Sequence, residues 1–546
     1  MISNDFDSGI QEIFNSKFSE IQITDWRKWL KISSKEEYFE LILKNSGLAS
    51  IEDISERIKQ EKSNSKDLSI DFDNYINNFN KIEPLILCHS SGTTNSSLNA
   101  LKWFHMSNKT VQRYWAPGMQ AIFESSGLSS DSSVVIFVPS RLKIDGLNTY
   151  KQSKYISLYS SEFSQRLMLS IIQPQSYTFF EYKNSKNLNI IAKILSLNNV
   201  STISAPAATV LGWADINKLK TGLKKSLKGV EENPDEGVDM LLNVVKSKGI
   251  ERGALEIQKK LSNKLSKATL VFSISSLLEK DWGLIRTFMN WQLGEEKFTN
   301  LYVASEIGPF AGSIDKNVEK SNSTGAMNVF PLTLPVIESK GNKQFISETS
   351  SRIGNLLISR MNLSKAYINL DVGDVINIID QQSLPLIEGQ ILRSSFQLKY
   401  PIKISKEITL PNGYTVYAGD YFTFNKFDIY DPRSLLNCLK SSFKMDCDAF
   451  ILIGGEKIGN NHWKLVLFAK DALDIPNLQD YKNALLNCVE DESLKEVISN
   501  DIIEVQLINE SPVDFLATRA EILDKVRTGK VPKGILKKWP LYVINV

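Results

Sequence analysis

Four hydroxyl side chains and one glycine stand in a row early in the chain: Ser90, Ser91, Gly92, Thr93 and Thr94. They follow an apolar run over 84–88, which predicts a buried strand that opens onto a loop. Glycine lets the backbone approach a ligand closely, and the hydroxyl and amide groups of such a loop can all donate hydrogen bonds. The segment therefore predicts a cradle for an anion, such as a nucleotide polyphosphate. The alternative is a solvent-exposed turn.

A carboxylate beside a hydroxyl ends another predicted strand, at Ser305 and Glu306. Because ligands of α/β folds bind at the carboxyl ends of strands, these two residues are candidates for ligand binding. Glu306 suits Mg²⁺, an ion that takes one or two carboxylates and completes its shell with phosphates and water. Tyr302 offers an apolar plane on which a base can stack. The alternative is a strand that ends in a solvated turn.

Two more charged residues follow glycines further along the chain. Asp374 precedes an apolar strand and could accept two hydrogen bonds from a ribose diol; the alternative is an Asp in a β-turn. Lys530 lies in a proline-bearing loop near the C-terminus. There its compact positive charge could project into a cleft; the alternative is a basic tail.

The elements that must position these residues follow from the hydrophobic patterns. Residues 1–80 read as helical, and from 81 to about 380 short β-rich runs alternate with helical patterns, which predicts an α/β fold. Beyond about 425 a smaller α+β pattern begins. We therefore predict a large N-terminal domain over 1–424, with mixed, mostly parallel sheets and flanking helices. A small mobile α+β C-terminal domain over 425–546 would carry Lys530.

Two internal segments differ from their surroundings. Residues 214–268 are rich in lysine and predict a pair of solvated amphipathic helices. The alternative is a surface that receives an anionic ligand or a partner. Residues 380–425 are rich in β-branched and turn residues, and the sequence Leu-Pro-Asn-Gly-Tyr over 410–414 favours a hairpin.

Composition excludes several classes of protein. The chain has 546 residues, with 64 lysines and arginines against 62 acidic residues and a net charge of +2, so no nucleic-acid partner is expected. No apolar run approaches the roughly 18–20 residues of a membrane span, and the polar N-terminus does not resemble a signal peptide. The four cysteines form no C-x-x-C pair and argue against a disulfide scaffold, which favours a cytoplasmic protein. The three histidines make a multi-histidine metal site improbable.

The four segments, taken in order, resemble the motifs of the adenylate-forming superfamily, which includes acyl-CoA synthetases, luciferases and the adenylation domains of peptide synthetases. That family carries an [ST]-S-G-[ST]-T loop, a Y-x-x-[ST]-E segment, a G-D pair and a late G-K pair. The branches of phenylacetate-CoA ligase and of the plant acyl-acid amido synthetases are most similar, on the residues over 371–378 and 385–388.

The resemblance implies ATP- and Mg²⁺-dependent activation of a carboxylic acid to an acyl-adenylate, with release of pyrophosphate. The hydroxyl loop over 90–94 would then hold the β- and γ-phosphates. Tyr302 would stack on adenine, and Asp374 would bind the ribose hydroxyls.

The same resemblance assigns the catalytic groups. Ser305 would contact the α-phosphate, Glu306 would hold Mg²⁺, and Lys530 would bridge the substrate carboxylate and the α-phosphate. The acyl pocket would be formed by small to medium residues that admit an aryl or short acyl group: Ser204, Ala205, Pro206, Val303, Ala304 and Gly308.

The identity of the acyl acceptor stays open at this point. The late Gly-Lys pair favours transfer to the thiol of CoA over the amido-synthetase branch. The alternatives are an amine, an amino acid or a carrier protein, or a homologue that binds nucleotide without turnover. Departures from the family pattern over 95–101 and 273–276 motivate the last alternative. Under the resemblance, Lys102 is the candidate for a shifted phosphate-loop lysine, and Asp420 is the candidate hinge. The gap between Asp374 and Lys530 is longer than is typical of the family, which implies an insertion over 385–420.

Overall fold

The computed structural model of the chain describes the following residues: 4–21, 25–63, 68–69, 71, 85–89, 102–139, 155–227, 236–273, 279–315, 326–339, 341–350, 353–362, 365–381, 384–392, 407–409, 415–419, 422–423, 428–429, 447–454, 463–469, 482–483, 486–487, 492–499, 503–508 and 541–545. The chain divides into two compact units. The first comprises 1–88, 103–372 and 376–390, and the second comprises 89–102, 373–375 and 391–546. The predicted domain boundary after 424 lies outside the described residues and stays a prediction.

The helices are α1 (Asn4–Phe18), α2 (Lys35–Ser46), α3 (Ile51–Gln60), α4 (Asn108–Thr110), α5 (Ala116–Ser125), α6 (Ser160–Ile172), α7 (Leu188–Ser196), α8 (Ala207–Ala214), α9 (Ile216–Leu227), α10 (Glu236–Leu265), α11 (Glu279–Phe288) and α12 (Glu492–Ser499). A π-helical turn over Val111–Trp115 joins α4 to α5, and 3-10 turns lie at Trp26–Lys31 and Tyr182–Asn184. Helices occupy much of 1–80 and of 214–268 where the structure describes these segments. No helix within the described ranges is both long and apolar enough to cross a membrane.

The strands of the first unit are β1 (Leu85–His89), β2 (Trp103–His105), β3 (Ser133–Val138), β4 (Tyr155–Tyr159), β5 (Ser176–Glu181), β6 (Thr202–Ser204), β7 (Thr269–Phe272), β8 (Phe298–Ala304), β9 (Gly308–Gly312), β10 (Ala326–Val329), β11 (Leu334–Ser339), β12 (Asn342–Phe345), β13 (Ile353–Asn362), β14 (Lys365–Asp380) and β15 (Leu386–Leu392). Short pieces of β1, β14 and β15 are grouped with the second unit.

One large mixed sheet organises the first unit, in the order β12-β11-β13-β14-β15-β10-β9-β8-β7-β6-β3-β5. Pairing is parallel from β5 through β3, β6 and β7 to β8. It turns antiparallel at β8–β9 and stays so through β10 to β15. The predicted α/β fold with a mixed sheet is therefore confirmed. A smaller sheet has the order β2-β1-β4.

Alternation along β3 shows how the sheet separates two apolar layers. Val134, Ile136 and Val138 pack in one buried cluster, while Val135 and Phe137 pack in another. Successive side chains of a strand point to opposite faces, so helices must cover the sheet on both sides. The first cluster includes residues of α1, α5 and α6, and the second includes residues of α7 to α11.

The second unit contains β16 (Glu407–Thr409), β17 (Thr415–Gly419), β18 (Phe422–Thr423), β19 (Asp428–Ile429), β20 (Cys447–Gly454), β21 (Trp463–Ala469), β22 (Ile503–Ile508) and β23 (Leu541–Asn545). Its main sheet has the order β16-β17-β23-β20-β21-β22. The antiparallel pair β16–β17 flanks 410–414, in agreement with the predicted hairpin, although those five residues lie outside the described ranges.

A buried ion pair lies within α6, on the side that contacts the sheet. Arg166 donates from Nε (3.0 Å) and Nη2 (2.9 Å) to Oε1 of Glu162, and both side chains are 0% exposed. The guanidinium Cζ also lies 4.5 Å from the ring centroid of Phe179 on β5. Gln11 of α1 donates to the carbonyl of Arg166 at 3.1 Å, which ties α1 to α6.

We predict that Arg166→Met lowers the free energy of unfolding by about 3–5 kcal/mol, because the Glu162 carboxylate stays buried without this guanidinium. The double variant Glu162→Leu/Arg166→Met removes both charges and should lose much less. Urea unfolding followed by circular dichroism measures both. Equal losses in the single and double variants would contradict this account.

Candidate active site

A cavity of about 150 Å³ lies where several parallel strands of the first unit end. Residues at or just beyond the carboxyl ends of β3, β6, β7 and β8 line it, together with the start of α6. Ligands of open α/β sheets bind outside the carboxyl ends of the strands, so the position is the one expected for a substrate.

The cavity wall is apolar on one side and polar on the other. Phe137, Val271 and Leu301 belong to the strand side. The first turns of α6 contribute the polar residues Ser160, Ser161, Ser164 and Gln165. Such a wall suits an organic group that carries a few polar atoms.

The structure brings four of the six predicted pocket residues to this cavity. Ser204, Ala205 and Pro206 lie at the end of β6, and Val303 lies on β8. Ala304 and Gly308 are not part of the described cavity wall. Gly308 instead opens β9 with a φ of +84°, a backbone conformation that L side chains rarely adopt.

Ser305 connects the turn after β8 to the cavity. Its Oγ donates a hydrogen bond of 2.9 Å to Oγ of Ser160, which lines the cavity. The turn itself is closed by the amide of Ile307, which donates to the carbonyl of Ala304 at 3.2 Å. The predicted α-phosphate contact Ser305 therefore lies beside the predicted acyl pocket.

Glu306 follows in the same turn and is half-buried. A residue that the sequence did not indicate, Arg360 of β13, is a buried cation whose charged form Glu306 favours. Arg360 is 4% exposed, and its Cζ lies 4.7 Å from the ring centroid of Tyr114. Burial lowers the pKa of Arg360, while Tyr114, Tyr367 and Glu306 oppose that shift. Within the described chain its Nε and Nη1 atoms have no hydrogen-bond partner.

Sequence reasoning missed Arg360 because an arginine inside an apolar strand gives no motif. The sequence over 353–362 has the pattern of a buried strand in which Arg360 is the basic residue. A strongly polar residue in a central strand is the available signal, since buried charges are rare without a partner.

Tyr302 is completely buried in this conformation. Its ring meets Phe310 edge-on, with the centroids 5.2 Å apart and an interplanar angle of 73°. Its neighbours Leu301 and Val303 line the cavity, whereas Tyr302 is not part of the cavity wall, and the pairing of β8 with β9 shifts register between Tyr302 and Val303. Stacking on adenine stays a prediction, and it requires that this ring be uncovered.

Asp374 lies within β14 and is 3% exposed. The strand is continuous over Lys365–Asp380, so the alternative reading as a β-turn is wrong. Asp374 is grouped with the second unit. The phosphate loop over 90–94, the candidate hinge Asp420 and Lys530 lie outside the described residues, and their predicted roles stay predictions.

Tyr159 precedes α6 next to the cavity. Burial raises the pKa of Tyr159 to about 12, and the neighbouring Tyr182 contributes to the shift. Its phenol is therefore neutral near neutral pH and can donate a hydrogen bond, but it cannot serve as a base there.

No protein-family profile matches the chain, and no curated protein matches it either. Among solved structures it is similar to an acyl acid amido synthetase in complex with 2,4-DB (14% identity, TM-score 0.48), with 98% of this chain and 92% of the other covered. A 2-hydroxyisobutyryl-CoA ligase in the postadenylation state gives 11% identity and a TM-score of 0.47, over 97% of this chain and 92% of the other.

An amide bond synthetase from Marinactinospora thermotolerans gives 12% identity and a TM-score of 0.39, over 79% of this chain and 68% of the other. The likeness to these structures concerns the fold. At these identities and TM-scores it carries no argument about the reaction.

We predict that Gly308→Ala destabilises the first unit more than Gly341→Ala. Both glycines have positive φ, which costs a Cβ-bearing residue about 1–2 kcal/mol. A Cβ at Gly308 would also lie 3.1 Å from the carbonyl oxygen of Tyr114, whereas no atom lies within 4 Å of one at Gly341. Overpacking should add about 1–3 kcal/mol at Gly308 alone. Urea unfolding measures the difference, and equal losses would show that the close contact relaxes freely.

Proposed function

We propose that this chain is an adenylate-forming ligase. A carboxylate oxygen of the substrate acid attacks the α-phosphorus of ATP, the bond to pyrophosphate breaks, and an acyl-adenylate forms. The thiol of CoA then attacks the acyl carbonyl, loses its proton and releases AMP. The soluble substrates are a small carboxylic acid, ATP and CoA.

The observation that supports this proposal most strongly is the cavity at the carboxyl ends of β3, β6, β7 and β8. It is lined by residues predicted for an acyl pocket, and it reaches the segment predicted to contact the α-phosphate through the bond from Ser305 to Ser160. In this arrangement the organic part of the acid fills the cavity. Its carboxylate lies near Ser305, at the edge of the sheet where the phosphates would bind.

The central difficulty of the first step is electrostatic, because both reactants are anions. Two unit charges about 4 Å apart repel by roughly 4 kcal/mol at an effective dielectric constant of about 20. The ammonium group of Lys530 would offset this repulsion while it holds the carboxylate in line. The buried Arg360 adds positive charge near Glu306.

The residues present fit a magnesium ion. Glu306 is a half-buried carboxylate beside the Ser305 hydroxyl, an oxygen donor set that Mg²⁺ completes with phosphate oxygens and water. The ion, when bound, supplies positive charge to the phosphates. No general base is required, since the substrate carboxylate is already ionised near neutral pH.

Lys530 belongs to the predicted C-terminal domain over 425–546. We propose that this domain moves after adenylation and withdraws Lys530, so that the second nucleophile can reach the acyl-adenylate. Such gating separates the two chemical steps within one enzyme.

Lys530→Ala should reduce the rate of ATP–pyrophosphate exchange about 10²- to 10³-fold, by analogy with the loss of other preorganised electrostatic groups. Lys533→Ala removes an equal charge from the same loop and should leave the exchange rate within about twofold. The exchange is measured across a panel of carboxylic acids. If the two variants are equally active, Lys530 does not take part in adenylation.

Glu306→Gln should raise the Mg²⁺ concentration for half-maximal exchange about tenfold or more, because a neutral amide binds the ion more weakly than a carboxylate. The exposed Glu348 provides the control, as Glu348→Gln removes a carboxylate elsewhere in the first unit. A metal dependence that is unchanged in Glu306→Gln would exclude Glu306 from the metal site.

A further inference from the structure

Gln165 lines the cavity and carries a buried hydrogen-bond acceptor. The residue lies in the second turn of α6, is 8% exposed and lines the cavity wall. Within the part of the chain that the structure describes, its Oε1 atom accepts no hydrogen bond. Buried polar atoms of native proteins are nearly always paired, so this oxygen calls for a donor that the described chain does not supply.

Two of the serine hydroxyls beside it take part in hydrogen bonds within the chain. Ser164 Oγ donates to the carbonyl of Ser160 at 2.7 Å, and Ser160 Oγ accepts the bond from Ser305. Among the polar side chains that α6 contributes to the wall, Gln165 is the one whose buried oxygen has no partner within the described residues.

The rest of the wall limits the size and the polarity of the chemical group that can carry the donor. Phe137, Val271 and Leu301 make the opposite side apolar, and a cavity of about 150 Å³ is similar in size to engineered cavities that bind benzene. A compact ring or short branched group would fill the volume, with a single polar atom directed at α6.

We propose that Gln165 is a specificity-determining residue. The acid that this cavity accepts is about the size of one aromatic ring and carries a hydroxyl or N–H group that donates to Gln165 Oε1. The inference rests on the proposed function, because it treats the occupant of the cavity as the acid to be activated. An acid that lacks the donor would bury the Gln165 oxygen without a partner and should bind about 10- to 100-fold more weakly.

The test measures binding and turnover separately. Isothermal titration calorimetry without ATP compares benzoate with the hydroxybenzoates, the aminobenzoates and the matching methoxybenzoates, which keep the bulk but cannot donate. We expect at least one donor-bearing acid to bind 10- to 100-fold more tightly than benzoate and than its methoxy analogue. Equal affinity of benzoate and every donor-bearing acid overturns the inference, and this comparison needs no variant.

Two variants test whether Gln165 causes the preference for donor-bearing acids. Gln165→Leu keeps most of the side-chain volume and should abolish the difference between the donor-bearing acid and benzoate. Gln120→Leu is the matched control, since Gln120 Oε1 is also buried without a partner in the described chain but does not line the cavity. A preference that survives in Gln165→Leu overturns the inference.

ATP–pyrophosphate exchange with the same acids separates the two proposals. Donor-dependent binding without exchange leaves the role of Gln165 intact and refutes the proposed function. Exchange without any donor preference supports the proposed function and refutes the role of Gln165.

Discussion

Parallel hydrogen bonding among β3, β6, β7 and β8 is the constraint on which the candidate site depends. Ile136 is in register with Ser204, Ser204 with Val271, and Phe272 with Asn300. Strands that pair in parallel and in step must end at the same edge, so the side chains beyond their ends converge. The cavity is therefore a product of strand register, and it is closed by α6, which contacts the sheet where Arg166 lies over Phe179.

Much of this arrangement could be predicted from local patterns. The apolar runs at 134–138, 449–453 and 463–468 became strands because short β-branched segments fit a buried sheet. The family resemblance assigns residues 204–206 to a pocket, and they lie at and just beyond the end of such a strand. The strand predictions succeeded because each depends only on residues that are close in the chain.

The rest depends on contacts between distant segments, which a local pattern does not contain. Glu306 favours the charged form of the distant Arg360, and Gln165 lines one cavity together with residues of four strands. The Gly-Asp pair at 373–374 favours a turn locally, yet the strand runs through it, because sheet pairing outweighs local preference. The burial of Tyr302 likewise follows from which face of β8 packs on the core, a choice that the motif does not encode.

The reversal from parallel to antiparallel pairing at β8–β9 has a mechanical consequence. Ala304 of β8 pairs with Gly308 of β9, so the residues that flank the turn with Ser305 and Glu306 are joined by the sheet. It cannot open without breaking the ladder on either side. The turn is therefore held at both of its ends by the ladder, and under the proposed function any displacement during catalysis falls to other parts of the chain.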